Sequence, residues 1–240
     1  MKRLLLILLI IPGLACMSDN SQSPDYPSRL VVDTISGADR IWDVELNITN
    51  VCCEWQWNCG WCNLGGQGSM GLSEYFDFIM VIDISDYGDS ITSAEIHLWC
   101  WLADSIELYA MVNPLIEPLI TKNDWQELDG IGVGGSPVGT DYAPTGYCRA
   151  AYNGECYYAW HEPLALGAGS DYDSTAVDST LIPTDAENSW QTIDITNCIN
   201  HFISHDIDLA RLLIHGNTTG HREFKTVEHD SACFVEVYRD

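Results

Sequence analysis

The sequence predicts an all-β protein, a jelly-roll β-sandwich with one short helix, on three observations. Short segments rich in β-branched and aromatic residues recur along the chain. Clusters of Gly, Asp, Asn and Pro separate them, and a single short stretch carries a helical stripe. Many short strands with little helix bury their apolar faces by stacking two sheets.

The elements follow in order. Glu74 to Ile84 is aromatic and β-branched. Ile91 to Leu102 alternates, with Ala94, Ile96, Leu98 and Cys100 on one face and Glu95, His97, Trp99 and Trp101 on the other. One face of this strand packs and the other is polar and aromatic. Ile106 to Val112, Gln191 to Ile195, Leu209 to Ile214 and Ala232 to Tyr238 read as further strands, and 130–188 reads as loop. Thr196 can cap a short helix whose stripe is Ile199, Phe202 and Ile203, and which ends around Asp206 to Asp208.

Composition sets bounds on function. The 240 residues carry 35 acidic and 10 basic side chains, a net charge of −25, with 46% hydrophobic residues and nine tryptophans. That apolar content supports a folded core, and the charge repels phosphate backbones, so nucleic acid is excluded as a partner. Lys2 and Arg3 precede an apolar run from Leu4 to Ile11, with Pro12, Gly13 and Ala15 behind it. This reads as an export signal over 1–15, and the run falls short of the ~20 residues that span hydrocarbon. Cys16 directly after Gly13-Leu14-Ala15 resembles a bacterial lipoprotein box. Lipidation there would make the polar segment 16–28 a tether for a domain over 29–240, with membrane contact through the lipid alone. An ordinary cleavage site and free secretion are the alternative.

Ten cysteines in an exported chain point to disulfides. The densest group, Cys52 to Cys62, holds Cys53, Cys59 and Cys62 and reads as a disulfide-stapled loop, with a zinc knuckle as the competing reading. Cys148 with Cys156 is the expected local pair, and Cys100, Cys198 and Cys233 fit plain buried thiols.

Several segments, in order, resemble the DNRLRE domain family, which overlaps carbohydrate-binding module family 96 and disaggregatase-related domains. Asp33-Thr34 is similar to the family's opening strand, and Ile79-Met80-Val81-Ile82-Asp83-Ile84-Ser85 resembles its Leu-x-x-Phe-Asp-Leu-Ser strand. Ile91 to Leu98 resembles Val-Thr-Ser-Ala-x-Leu-x-Leu, and Asp124-Trp125-Gln126-Glu127 the Trp-x-Glu turn. Tyr158-Ala159-Trp160 resembles the Thr-Trp strand and Gly169 to Asp173 the Gly-Gly-Asp-Tyr-Asp loop. Trp190 to Thr196 resembles Trp-x-x-Phe-Asp-Val-Thr, and Phe224 to His229 the Phe-x-Ser-x-Glu-His segment. The resemblance spans about residues 30 to 238 and implies a β jelly roll that attaches proteins to polysaccharide. It also places Trp125, Trp160 and Trp190 within the body of the domain, where they read as core. The Cys52 to Cys62 loop has no counterpart in the family pattern, and the domain here accompanies no recognisable catalytic module.

Sugar binding needs flat apolar faces with polar groups at the rim. Trp55, Trp57 and Trp61 on a Gly- and Asn-rich loop, and Trp99 with Trp101 on the polar face of one strand, are the candidate platforms. Asp171 and Asp173, with Asp178 nearby, resemble an oxygen-rich calcium loop, which makes calcium a candidate structural ion. His201 and His205 stand four apart but lack the Glu of a zinc-protease motif. A lyase would need a base beside a charge-neutralising group, for which Arg222, His221, Glu228 and His229 are the nearest set. No catalytic residue is assigned. The reading is therefore an exported, lipid-anchored or secreted surface domain that binds polysaccharide through aromatic platforms. A neutral polymer is favoured, because the net charge repels polyuronates. The alternatives are a polysaccharide-degrading enzyme of the disaggregatase or lyase type, and a structural surface or matrix protein without a sugar site.

Overall fold

A computed structural model describes residues 31–37, 40–47, 69–116, 148–152, 155–175, 177–225 and 233–239. Its strands in chain order are β1 (Val31–Ser36), β2 (Ile41–Asn47), β3 (Met70–Leu72), β4 (Phe76–Asp83), β5 (Ser93–Ala103), β6 (Leu108–Pro114), β7 (Cys148–Tyr152), β8 (Glu155–Ala159), β9 (Asp178–Ile182), β10 (Ser189–Asp194), β11 (Leu209–Gly216), β12 (Arg222–Phe224) and β13 (Cys233–Arg239). The helix α1 (Thr196–Ser204) lies between β10 and β11. The fold is the expected all-β sandwich with one short helix.

The first sheet is built on β5. Strands β13 and then β1 follow one stretch of its edge, β12 and then β3 follow the rest, and β10 pairs with the opposite edge. The second sheet runs β2-β4-β11-β6-β9, and β7 with β8 form a separate hairpin. From β1 to β6 successive strands alternate between the two sheets, as they do in a jelly roll.

Period-two patterning explains the core. On β5, Ala94, Ile96, Leu98 and Cys100 are buried, as their alternation predicts, and they meet Phe78, Met80 and Ile82 of β4 and Ala210, Leu212 and Ile214 of β11. Each such large side chain contributes about 1.5–3 kcal/mol by leaving water. From α1, Cys198, Ile199 and Phe202 enter the same core, with Ile203 at its margin. Thr196 does not cap this helix. Its hydroxyl lies 3.1 Å from the Ala94 N–H and 2.6 Å from the Asp194 carboxylate, and the Cys198 N–H is instead met by Oδ2 of Asp178 on β9 at 3.0 Å. The carboxylate thus satisfies a helix-start donor from another strand.

The outer side of the second sheet is also covered. Leu46, Ile79, Val81 and Leu213 pack there against Leu115, Trp160, Leu164 and Ala165 in a second core. Trp160 is therefore core, as expected. The segment 130–188 was expected to be loop, but it contains β7, β8 and β9. Strand β9 escapes a hydrophobicity pattern because its inward positions are Asp178 and Ile182, and one of the two is a carboxylate. Strand β2 is hidden for the same reason, since Asp43 and Glu45 are buried beside Ile41.

Cys100, Cys198 and Cys233 are buried, as expected. In the β7–β8 hairpin Cys148 lies opposite Ala159 and Cys156 opposite Ala151. The two cysteines are therefore not directly opposed in the hairpin. Residues 1–15, Cys16, the tether 16–28, Trp55, Trp57, Trp61, Cys53, Cys59, Cys62, Trp125, Glu228 and His229 lie outside the described residues.

Candidate functional site

Alternation sends Glu95, His97, Trp99 and Trp101 of β5 to the outer side of the first sheet, where their flanking strands decide what they meet. Trp190 of β10 pairs across from Trp99, and their rings meet edge to face at 5.6 Å. Phe234 of β13 pairs across from His97 and stacks on its imidazole at 4.5 Å with only 8° between the planes. Trp190 also reaches Phe234, edge to face at 5.3 Å. Four rings from three strands thus form one cluster, and Trp190 is 44% exposed.

The two tryptophans of the predicted strand platform lie in different settings. Trp99 belongs to the cluster. Trp101 has the Lys225 ammonium 4.8 Å from its ring centroid, a cation–π contact. Trp190 was expected in the core and instead supplies the exposed ring, because β10 turns Gln191 and Ile193 inward and its neighbours outward. Phe234 and His97 were not assigned to a site. The alternation of Cys233, Val235 and Val237 with Phe234, Glu236 and Tyr238 is the signal that could have found Phe234.

Beside the rings lies a polar cluster. Glu95 and Glu236 are directly opposed across β5 and β13. The His97 Nε2 lies 3.8 Å from Glu95 Oε2 and 3.3 Å from Glu236 Oε2. Tyr238 donates its hydroxyl to Glu236 Oε2 at 2.6 Å, and this bond to a carboxylate pushes the phenol up to about 12. Among the described residues these three side chains are the group whose ligand atoms converge as a metal would require, all within 4.8 Å.

The aspartates of the candidate calcium loop have other partners. Burial by itself would raise Asp171, but N–H donors outweigh it and hold its carboxyl below the usual range. They are the backbone N–H groups of His161, Glu162 and Gly167 at 2.9–3.0 Å, with the His161 ring at 3.1 Å. Both oxygens thus face donors of the chain itself. The Gly167 backbone approaches so closely that a Cβ there would lie 2.5 Å from Asp171 Oδ2. Asp173 Oδ1 accepts from the Thr175 N–H and hydroxyl, and its Oδ2 lies 3.6 Å from His201 Nδ1. His201 and His205 lie ring to ring at 4.5 Å.

The lyase set is also corrected at its arginine. Arg222 is fully buried. One guanidinium nitrogen donates to Asp104 and the His221 carbonyl, both at 2.9 Å. The other reaches the Ile106 carbonyl at 2.8 Å and the Pro183 carbonyl at 3.0 Å. It ties loops together, and its guanidinium is spent on these partners and not left to neutralise a substrate carboxylate.

A further polar group sits under the second sheet. Asp77 is buried, accepts the Gly216 N–H, and has no hydrogen-bond partner for Oδ2; burial pushes its carboxyl well above the usual range. Ile214 pairs with Phe78, so His215 and Asp77 stand at the next register position. His215 lies 3.2 Å from Asn113 Oδ1, and burial lowers it to about 4. Sequence reading passed over this group because each residue sits alone in an apolar strand.

Sequence comparison finds no family model and no curated protein that matches the chain.

Proposed function

We propose that the chain is an exported, lipid-anchored domain that binds a neutral polysaccharide through the Trp99, Trp190 and Phe234 cluster. The observation that carries this reading is Trp190, 44% exposed on the outer side of the first sheet and held edge to face against two further rings. A rigid ring offers the apolar C–H face of a pyranose a surface at low entropic cost, and Thr192 and Asp194 on the same outward side of β10 supply hydroxyl partners. The resemblance to the DNRLRE family supports a polysaccharide ligand. The charge of −25 supports a neutral one, since an unscreened polyanion would be repelled. Trp55, Trp57 and Trp61 are the second candidate platform, and two platforms would suit a long polymer.

Affinity electrophoresis of the purified domain through gels cast with neutral or anionic polysaccharides tests the reading. Retardation by a neutral polymer, weakened in Trp190→Ala and without new reducing ends or unsaturated uronates, is the expected result. Product formation would favour the degrading enzyme, and equal mobility of wild type and variant in every gel would favour the matrix protein. Intact mass under non-reducing conditions tests the lipid on Cys16 and the pairing within Cys52 to Cys62.

A further inference from the structure

We infer that Glu95, His97 and Glu236 form a binding site for a divalent transition-metal ion, zinc being the ion their donors suit best. The inference stands apart from glycan binding, because it rests on the carboxylates and the imidazole and not on the tryptophans.

Two carboxylates directly opposed on an antiparallel pair repel each other and destabilise the sheet unless a cation or a proton lies between them. Here the third corner is an imidazole nitrogen. His97 Nε2 is shielded from solvent and makes no hydrogen bond, although it points between two carboxylate oxygens. The ring is fixed on its other side, where Nδ1 lies 3.2 Å from the Thr192 hydroxyl and Phe234 stacks along its plane. With Nδ1 protonated toward Thr192, the Nε2 lone pair faces the carboxylates, an arrangement that suits a cation. A partner that sets the tautomer and holds the ring is the usual support of a metal-bound histidine.

The spacing fits. Ligands at about 2.0–2.1 Å from a tetrahedral ion lie roughly 3.3 Å from one another, and the two distances from Nε2 are 3.3 and 3.8 Å. Tyr238 anchors Glu236 Oε2 from outside, so the shift that closes the site falls on the more exposed Glu95, at 38% against 28%. One nitrogen and two carboxylates select zinc over calcium, which takes six or more oxygens. Three protein ligands leave a fourth position open to water or to a ligand oxygen.

The test is titration of the chelator-treated protein, kept under oxidising conditions, with zinc by calorimetry and with cobalt by absorption. The expected result is one equivalent bound, a tetrahedral cobalt spectrum without thiolate charge-transfer bands, and at least about tenfold weaker binding in both His97→Ala and Glu236→Gln. Glu236→Gln keeps the size of the side chain and an acceptor for Tyr238, so it carries the test if His97→Ala does not fold. Absence of binding, unchanged affinity in Glu236→Gln, or a spectrum carried wholly by thiolate bands would overturn the inference. Loss of zinc binding with glycan retardation intact, or the reverse, separates this site from the polysaccharide surface.

Discussion

Trp190 and Phe234 touch edge to face at 5.3 Å although they stand on β10 and β13, which flank β5 on opposite edges. Each ring leans across β5, and between them the strand carries Trp99 and His97. The contact is a product of sheet order, since 43 residues of chain, including α1, β11 and β12, separate the two positions.

This relationship gives the first prediction. Trp190→Ala removes the exposed ring and weakens binding to a neutral polysaccharide about three- to tenfold, whereas Trp101→Ala changes it little. Retardation coefficients for the two variants check this, and equal losses in both would place the surface elsewhere.

Acid should act through His215. Its folded pKa, about 4, lies below the ordinary 6.5, so its contribution is present above 6.5 and is lost as the pH falls toward 4. The size is about 3 kcal/mol. Urea unfolding at pH 7, 5.5 and 4.5 should show the decline, and His215→Gln should flatten it within a window that lies above the carboxylates' own.

Asp77 acts at the other end. A carboxyl whose folded pKa is raised contributes stability fully below 3.8, and this is lost as the pH rises through the folded value. Asp77→Asn, which cannot ionise, should lose less stability than wild type as the pH is raised from below 3.8. Parallel curves for the two proteins would refute the assignment.

Asp171 holds the 160–172 segment over the second core. Asp171→Ala strands three backbone N–H groups and should cost about 3 kcal/mol, measured as a lower denaturation midpoint at pH 7. Added calcium should not restore the variant.

Arg222 offers a check on the lyase correction. Arg222→Lys supplies charge without the planar fork and should destabilise by about 2–4 kcal/mol. Calorimetry should show the lower melting temperature, while any glycan binding at temperatures where the variant is folded stays unchanged.

Strands with apolar residues on every second position were legible, β5 and β13 most clearly, because the core selects one face and alternation records it. Strands β2 and β9 were not, since Asp43, Glu45 and Asp178 stand where an apolar residue would mark the inside. Asp178 is accounted for by the N–H of Cys198, a partner 20 residues away that no local pattern reveals.

By itself the sequence determined the fold class, the inward face of β5, the helix stripe and the burial of Cys100, Cys198 and Cys233. These depend on local period and on the transfer of apolar side chains from water. Tertiary structure alone decided that Trp190 faces out, that Lys225 covers Trp101, and that Glu95, His97 and Glu236 converge. Each of these depends on which strands lie side by side and in what register, which is set by the packing of the whole sandwich and not by any one strand.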